Sequence, residues 1–373
     1  MNTPSILLLG GYGAVGRRMA KLILQETPVS LVIAGRRLAE AEACCQALRS
    51  EFSDRPIEAR YADVYDVISM QKAFKGVDLV MVLTTTPTSI EQIAQTALAC
   101  GCNYLDILVT SSVWTDLQAL APKIAEKGKI FISQAGFHPG MLAVMTRLGA
   151  RYFDRYDEAC LSMAMETALE RPEQVAEIIP LITHFDSWLY ENGAWRKATY
   201  RDAIKVDVGG KFGQMQLYPF WMEELRSMPT LLGLKKVGLY ISGFNRVVDN
   251  LIMPLIMLLD WLGGKCFQKL SERIFFWGVR KFAPNMEGVV LINDARGLKD
   301  NQLHGIRLRL EHPDVYLFTV IPVVACLKQL LDEQIPVGLH MMGQVCDTDR
   351  LMQDVAAMGI LVWVEEAGAP LKN

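Results

Sequence analysis

A glycine-rich turn near the start of the chain constrains the fold more than any other feature of the sequence. Its residues have the spacing G-x-G-x-x-G, and they lie between the apolar run SILLLG and a helical pattern that ends near Leu24. In this strand–turn–helix context the first glycine permits a tight turn, the second lets the backbone approach a pyrophosphate, and the third lets helix and strand pack closely. The turn is therefore predicted to bind a dinucleotide through Gly11, Tyr12, Gly13, Ala14, Val15 and Gly16.

The alternation of strand and helix continues through about the first 135 residues. Further strands are predicted at SLVIAG, IEARYADV, DLVMVLTT, CNYLDI and KIFISQAG, with helices between them. Six such steps predict a parallel sheet with helices on both faces. The predicted fold class is α/β, a Rossmann-type doubly wound parallel sheet with an inserted α+β domain that carries a mixed or antiparallel sheet.

The inserted domain begins where the sequence pattern changes, at His138. Longer, more polar strands joined by short Gly- or Asn-containing turns follow, with a helical block from about 219 to 282. One last helix and the strand ILVWVEE are predicted to return to the first domain. The predicted boundaries are 1–137 plus about 335–373 for the dinucleotide-binding domain, and 138–334 for an inserted domain that serves substrate binding and dimerisation.

The end of the second strand predicts NADP(H) as the cofactor. Folds that prefer NAD place an acidic residue about 20 residues beyond the glycine turn, whereas this chain has Gly35, Arg36 and Arg37 there. Gly35 leaves space, and the two guanidinium groups can bind a 2′-phosphate. Asp63, which ends the third strand, is interpreted either as a hydrogen-bonding residue on the adenine side or as a loop cap.

Composition excludes several other classes of protein. A net charge of −3 gives no basic surface for nucleic acid. The eight cysteines are scattered and no histidine pair accompanies them, so no metal site is predicted. The N-terminus lacks the features of a secretory signal, which predicts a cytoplasmic protein. Segment 247–264 is hydrophobic but is interrupted by charged residues and a proline, so it is not predicted to span a membrane. It is predicted to be a core helix, a dimer interface or a peripheral lipid contact.

Candidate catalytic residues are expected beyond the carboxyl ends of the strands. Thr85, Thr86 and Pro87 follow the fourth strand, although threonines before a proline also commonly start a helix. Tyr104 and Asp106 lie in the fifth strand, where Tyr104 is alternatively a core residue. After the sixth strand comes a glycine-flanked turn whose members are Gly136, Phe137, His138, Pro139 and Gly140. His138 is predicted to titrate near neutral pH.

These motifs together resemble the saccharopine dehydrogenase-like family of NADP-binding oxidoreductases. The resemblance rests on GGYGAVGRRMAKLI, the AGRR strand end, GCNYLDI and AGFHPGM, and it covers most of the chain. It implies a Rossmann domain with an inserted domain that often builds a dimer, here a homodimer. It also implies that Arg36 and Asp63 bind NADP together with the glycines, that Thr85, Thr86 and Pro87 line the nicotinamide ribose, and that the fifth strand and the 136–140 turn border the substrate.

The predicted function is that of an NADP(H)-dependent oxidoreductase that moves a hydride to or from a C=N, C=O or C=C bond of a small molecule. The substrate is expected in a cleft between the domains, with His138, Tyr104 and Asp106 as catalytic residues and with contacts from Gly136, Phe137 and Gly140. Relatives that act on amino-acid adducts commonly carry aspartate where His138 stands, so saccharopine itself is not predicted as the substrate. Two alternatives stay open, a non-catalytic NADP-sensing protein and a lipid-associated protein of the enoyl reductase type.

Overall fold

The computed structural model describes residues 3–84, 86–165, 175, 179, 186–245, 247–263, 266–282 and 288–366. The chain divides into two compact units. The first contains Met1–Leu148, Met222–Arg226 and Tyr316–Ile360, and the second contains Gly149–Trp221, Ser227–Val315 and Leu361–Asn373. Thr85, one of the predicted site residues, lies outside the described residues. The last position of segment 247–264 lies outside them as well.

The first unit is built on a parallel sheet of seven strands. They are β1 (Ser5–Leu9), β2 (Ser30–Gly35), β3 (Ile57–Tyr61), β4 (Leu79–Val82), β5 (Asn103–Asp106), β6 (Ile130–Ser133) and β15 (Gly338–Met341). Their order across the sheet is β15-β6-β5-β4-β1-β2-β3. Successive strands are added on one side of β1 up to β3 and on its other side from β4 onwards. The carboxyl ends of β1 and β4 therefore form the topological switch point, where such sheets bind ligands.

Helices cover this sheet. They are α1 (Ala14–Glu26), α2 (Leu38–Glu51), α3 (Val67–Phe74), α4 (Ile90–Ala99), α5 (Ser111–Gln118), α6 (Ala121–Glu126), α7 (Leu142–Gly149), α11 (Val315–Leu331), α12 (Met342–Val345) and α13 (Thr348–Ala357). In α4 Ile90, Ile93 and Ala97 lie on one face of the helix and are fully buried. Phe74, Tyr104 and Phe131 lie in the same core cluster.

The second unit contains a mixed sheet of nine strands. They are β7 (Arg155–Met165), β8 (Trp188–Glu191), β9 (Ala194–Lys197), β10 (Ile204–Asp207), β11 (Gln214–Phe220), β12 (Lys236–Ser242), β13 (Val289–Lys299), β14 (Gln302–His312) and β16 (Leu361–Glu366). The main path is β10-β11-β12-β7-β13-β14-β16, and β8 pairs with both β12 and β9. Only the β7–β12 pair among them is parallel. The helices of this unit are α8 (Met228–Leu232), α9 (Met253–Gly263) and α10 (Gln268–Lys281). The predicted fold class is confirmed.

Three local predictions were wrong. The strand that returns to the first sheet is β15, whereas the predicted one, β16, pairs with β14 of the second sheet. Cross-strand chemistry explains the choice, because Arg307 lies opposite Glu365 and the Arg309 guanidinium stacks on Trp363. Strand β12 lies inside the predicted helical block, where KVGLYIS has the β-branched and aromatic residues of a strand.

The third difference concerns α11, which was assigned to the inserted domain and belongs to the first unit. This helix is apolar around most of its circumference, and such helices are buried on all sides. The ring of its Phe318 lies 5.1 Å from that of Phe137.

Segment 247–264 begins with the helical turn Val248–Ile252 and continues as α9. Its inward residues, which include Ile252 and Ile256, pack against Phe275 and Val279 of α10 in a separate core cluster. Part of the segment is therefore core, as one of the three interpretations predicted. In the part of the chain that the structure describes, no helix is long and apolar enough to cross a bilayer.

Candidate active site

The glycine turn has the geometry that close packing and ligand approach require. The Gly11 amide donates to the Leu8 carbonyl at 3.1 Å, and the Gly13 amide donates to the Gly10 carbonyl at 3.0 Å, which closes the turn tightly. A Cβ at Gly16 would stand 2.6 Å from the Gly10 carbonyl oxygen, so helix α1 packs against the turn without space for a side chain. A Cβ at Gly13 would meet only the same oxygen, at 3.3 Å, and Gly13 is exposed.

The amino end of α1 is suited to bind a pyrophosphate. Gly13 is the N-cap, and neither a side-chain cap nor an acidic residue occupies the first turn. The amide groups of Ala14, Val15 and Gly16 therefore remain available, and the helix dipole favours a negative group there. The open backbone at Gly13 lies beside these amides, so the residues present fit the predicted cofactor.

The adenine side of the site is organised by Tyr12. A Cβ at Gly35 would stand 2.5 Å from the Tyr12 ring, so the space above Gly35 is filled by that ring. The space that Gly35 leaves is thus used by Tyr12, and a contact of Gly35 with the cofactor stays a prediction. The Arg37 guanidinium lies 5.3 Å from the centre of the same ring and is 2.7 Å from the Glu40 carboxylate. Arg36 is exposed, and no ion pair or hydrogen bond engages its guanidinium within the described ranges.

Asp63 has a clear structural role. Its Oδ1 accepts a hydrogen bond from the Tyr65 amide at 3.1 Å, and its own amide donates to the Ser69 hydroxyl at 2.9 Å. These contacts are those of a loop cap, one of the two interpretations of this residue. A contact with the adenosine stays a prediction, for which Oδ2 is the remaining acceptor.

The residues after β4 lie against the glycine turn. A Cβ at Gly10 would stand 2.8 Å from Cγ2 of Thr84, and the Thr84 and Thr86 hydroxyls are 3.0 Å apart. Pro87 begins a helical turn that runs to Ser89, as the structural interpretation of these residues predicted. Thr84, which also follows the fourth strand, contacts the turn through its side chain.

Tyr104 and Asp106 lie on the same face of β5 because strand side chains alternate. Both are fully buried, and the Tyr104 ring stacks on Phe131 at 5.1 Å. Burial raises the pKa of Tyr104 well above 10 and also raises the pKa of Asp106. The hydroxyls of Tyr104 and Ser133 lie close enough to Asp106 to lower its pKa. Among the described residues, however, these two hydroxyls and Asp106 Oδ2 have no hydrogen-bond partner of good geometry.

Asp106 Oδ1, in contrast, accepts two backbone hydrogen bonds. The Leu108 amide donates at 3.0 Å and the Gln134 amide donates at 3.1 Å. One carboxylate oxygen thus fixes the ends of β5 and β6, and the other is left for a ligand. Gln134 is the residue that sequence reasoning missed here: its side chain is 1 % exposed, and neither amide atom has a partner within the described residues. The signal was present only as a polar residue at the end of an apolar strand.

The turn 136–140 follows directly. Gly136 and Gly140 have φ of 143° and 121°, which side chains disfavour, so the two glycines are required by the backbone. The His138 ring packs 3.9 Å from that of Phe137, and its Nδ1 has no partner among the described residues. Burial lowers the pKa of His138 to about 4. This direction is opposite to the titration near neutrality that the sequence predicted, because the sequence does not show how deeply the imidazole lies.

A second missed residue is Glu224, from the short segment 222–226 that belongs to the first unit. Its carboxylate is fully buried and accepts hydrogen bonds from the Gly140 amide at 2.8 Å and the Ala143 amide at 3.0 Å. Burial raises the pKa of Glu224 to about 7. The 84-residue separation from Gly140 gave no local signal in the sequence. Among the described residues no group of acidic, histidine or cysteine side chains could hold a metal ion.

Comparison with known proteins agrees with this geometry. Residues 6–132 match the family model described as the saccharopine dehydrogenase NADP binding domain. The N-terminal part of this chain is therefore similar to that NADP-binding domain. The match spans the glycine turn, Arg36, Asp63 and strand β5, so the predicted resemblance and the NADP cofactor are confirmed.

Similar proteins extend beyond this domain. Carboxynorspermidine synthase from Vibrio cholerae serotype O1 is 23 % identical over 95 % of this chain and 95 % of its own, and the enzyme of the same name from Vibrio alginolyticus is 22 % identical over 95 % and 96 %. Apo saccharopine dehydrogenase (L-Glu forming) from Saccharomyces cerevisiae superposes with a TM-score of 0.72 at 15 % identity, covering 98 % of this chain and all of that one. The yeast structure shows a shared fold. The predicted class, an NADP-dependent oxidoreductase, is confirmed.

Proposed function

We propose that this protein reduces the C=N bond of an imine formed from an amine and a carbonyl compound, which yields a secondary amine. NADPH supplies the hydride when it is bound. The imine carbon accepts that hydride, the C=N electron pair moves to nitrogen, and nitrogen carries the proton that completes the amine. The two full-length relatives named carboxynorspermidine synthase support an amine substrate, since spermidine-type compounds are polyamines.

The observation that carries this choice is that the charged side chains identified in the site are acidic. Two buried carboxyl groups, Asp106 and Glu224, belong to it. Buried polar atoms without partners among the described residues come from Tyr104 and Ser133 beside Asp106, from Gln134, and from His138 in the 136–140 turn. None of these side chains is a lysine or an arginine. A protonated imine is a cation, and a carboxylate next to it stabilises the charged form. An enoyl or simple carbonyl substrate develops negative charge instead and would need a cationic or strongly donating partner.

Asp106 is the best proton-carrying group in this arrangement. Its pKa is raised by burial, so it is able to hold a proton nearer to neutral pH than an exposed aspartate. The low pKa of His138 keeps the imidazole neutral, and the high pKa of Tyr104 makes its phenol a weak acid. We assign these two residues to hydrogen bonding with the substrate, with the 136–140 turn as its border.

The experiment measures oxidation of NADPH by the full chain. Diamines and small aldehydes or keto acids are tested together and separately, alongside an enoyl compound. Oxidation that needs amine and carbonyl together supports imine reduction. Oxidation by the carbonyl compound alone, or by the enoyl compound, contradicts it. Asp106→Asn keeps the Oδ1 acceptor for two backbone amides, so it is expected to lower kcat while NADPH affinity is retained.

We further propose that the protein is a cytoplasmic homodimer that associates through the outer side of α9 and α10. Large apolar side chains of these two helices and of the residues next to them are exposed, and Trp261 is 80 % exposed. These side chains, which we call the exposed apolar face, are Leu251, Leu255, Leu258, Trp261, Leu262, Leu270, Trp277 and Phe282. Monomeric proteins rarely expose large contiguous apolar patches to water, so the many exposed apolar side chains on two neighbouring helices favour a partner. A lipid surface is the second candidate partner, because exposed Lys269, Arg273 and Lys281 accompany the apolar residues.

Sedimentation and liposome flotation separate these partners. Trp261→Ser is expected to shift the protein from dimer to monomer, whereas Trp363→Ser, on the edge strand β16, serves as the matched control. Flotation with anionic vesicles that is lost in the same variant would favour lipid contact instead. A wild-type protein that is monomeric and does not float would contradict both.

A further inference from the structure

Gln134, at the carboxyl end of β6, has a backbone conformation that its residue type disfavours. Its φ is 58°, in the left-handed region where glycine is favoured and longer side chains are uncommon. The conformation lets the chain turn towards β5: the Gln134 amide donates to Asp106 Oδ1 at 3.1 Å, and the Ala135 amide donates to the Asp106 carbonyl at 2.9 Å. Residues 134 and 135 contribute only backbone amides to these two bonds, so glycine at position 134 would serve this turn better.

The side chain of Gln134 is as unusual as its backbone. It is 1 % exposed, and both Nε2 and Oε1 lack hydrogen-bond partners among the described residues. A buried amide without partners is strongly disfavoured, and such groups in native proteins usually meet a ligand or water. The carboxamide offers two donors and an acceptor with two lone pairs. A ligand that satisfies it must present both an acceptor and a donor.

The position of Gln134 in the sheet indicates which ligand group reaches it. The pyrophosphate turn follows β1, and the adenine side lies towards β2, where Gly35 and Arg36 are found. The other half of a dinucleotide must extend the opposite way, across the carboxyl ends of β4, β5 and β6. Asp106 and Gln134 stand at the ends of the last two of these strands. The nicotinamide half carries one group with both a donor and an acceptor at its end, its carboxamide.

We propose that Gln134 binds the nicotinamide carboxamide of NADP(H) through a reciprocal pair of hydrogen bonds, Nε2 donating to the carboxamide oxygen and Oε1 accepting from the carboxamide nitrogen. This contact fixes the orientation of the nicotinamide ring, which makes Gln134 a positioning residue. The inference rests on the NADP cofactor and is independent of the imine reaction proposed above.

Two variants test the contact, so that the test still works if one of them fails to fold. Gln134→Gly suits the left-handed backbone, and Gln134→Leu replaces the amide by an apolar group of similar size. Both are expected to fold, which circular dichroism and the unfolding midpoint check. Two neutral hydrogen bonds correspond to a loss of roughly tenfold or more in NADPH affinity. Adenosine 2′,5′-bisphosphate, which lacks the nicotinamide half, is expected to bind both variants as it binds the wild type.

Binding of a cofactor analogue is the measurement that decides whether the carboxamide itself is contacted. In the acetylpyridine analogue of NADP a methyl group replaces the carboxamide nitrogen, so Gln134 Oε1 has no donor to accept from. The wild type is expected to bind NADP several-fold more tightly than this analogue, and both variants are expected to lose that preference. Unchanged NADPH affinity in a folded variant would overturn the proposal. So would an equal loss of affinity for NADPH and for the bisphosphate, or an undiminished preference for NADP over the analogue.

Discussion

The ring of Tyr12 lies where a side chain on Gly35 would be, 2.5 Å from the ideal position of its Cβ. The Tyr12 hydroxyl in turn accepts a hydrogen bond from the Arg37 amide at 3.3 Å, and the Arg37 guanidinium lies over the ring. Arg37 is therefore engaged by Tyr12 and Glu40 and helps hold the turn, whereas its neighbour Arg36 is exposed. The two adjacent arginines have different surroundings and are expected to have different roles.

Arg36→Ala is expected to lower the ratio of NADPH to NADH affinity by tenfold or more. The physical reason is the loss of a charge-assisted phosphate contact, worth on the order of 1.5–3 kcal/mol. Fluorescence titration with both cofactors measures the ratio. Arg37→Ala is the matched control, for which we expect a much smaller change in the ratio because Glu40 already pairs with that guanidinium. An unchanged ratio in Arg36→Ala would show that the 2′-phosphate is bound elsewhere.

Two alanine substitutions in the glycine turn should separate folding from binding. At Gly16 the new Cβ would overlap backbone atoms of Gly10 and Gly11 at 2.6 Å, so Gly16→Ala is expected to lower the free energy of unfolding by about 1–3 kcal/mol and to abolish NADPH binding. At Gly13 the backbone has φ −69° and ψ 175°, which alanine adopts readily. Gly13→Ala is expected to keep its stability and still bind NADPH weakly, since its Cβ occupies the approach to the backbone.

Urea unfolding and NADPH titration of both variants check this contrast. Gly13→Ala would then be the variant in which stability is retained and affinity is lost. If Gly13→Ala binds NADPH as tightly as the wild type, the pyrophosphate does not approach the turn at this point. If Gly16→Ala is as stable as the wild type, the turn has moved to accept the methyl group.

The sequence predicted the first sheet well because its strands and turn are specified locally. Apolar runs that end in glycine or a polar residue identify strands such as β1, β2 and β4, and the glycine spacing identifies the cofactor site. The sequence-based prediction failed where contacts between distant residues determine which strands pair. The strand β16 was assigned to the wrong sheet because its partner, β14, is identified only by pairs such as Arg309 with Trp363.

The candidate site shows the same division. Tyr104, Asp106 and the 136–140 turn could be named from their places at strand ends. Glu224 could not, because its contact with Gly140 joins residues that are distant in sequence. The pKa of His138 also depends on burial, which no local pattern reports. Gln134 was hidden because a positive φ in a non-glycine residue leaves no mark on the sequence.

His138 is expected to stay neutral through the physiological pH range. Burial lowers its pKa to about 4, so the imidazole should not gain a proton as pH falls from 8 to 6. Histidine-selective NMR measures this directly, with His138→Gln used to identify the signal by its loss. The signal is expected to keep its chemical shift across this range. A titration midpoint near neutrality would show that the ring is solvated or faces a carboxylate.

Glu224 is expected to make the stability of the protein depend on pH. Burial raises its pKa from 4.5 in the unfolded chain to about 7 in the folded one, so the folded state binds the additional proton between these values. The free energy of unfolding should therefore fall as pH rises from about 4.5 to about 7, by at most roughly 1.4 kcal/mol per pH unit from this group. Above about pH 7 the contribution should level off.

Glu224→Gln isolates this contribution, because the amide cannot titrate. The variant is expected to have a flatter stability profile between pH 5 and 7 than the wild type in urea unfolding at a series of pH values. Its nitrogen would face a backbone amide donor in place of one carboxylate oxygen, since Gly140 and Ala143 donate to different oxygens. The variant should therefore be less stable at pH 5, where the carboxyl group is protonated. Parallel profiles for the two proteins would show that folding does not raise the pKa of Glu224, and the buried carboxyl group would then be charged between pH 5 and 7.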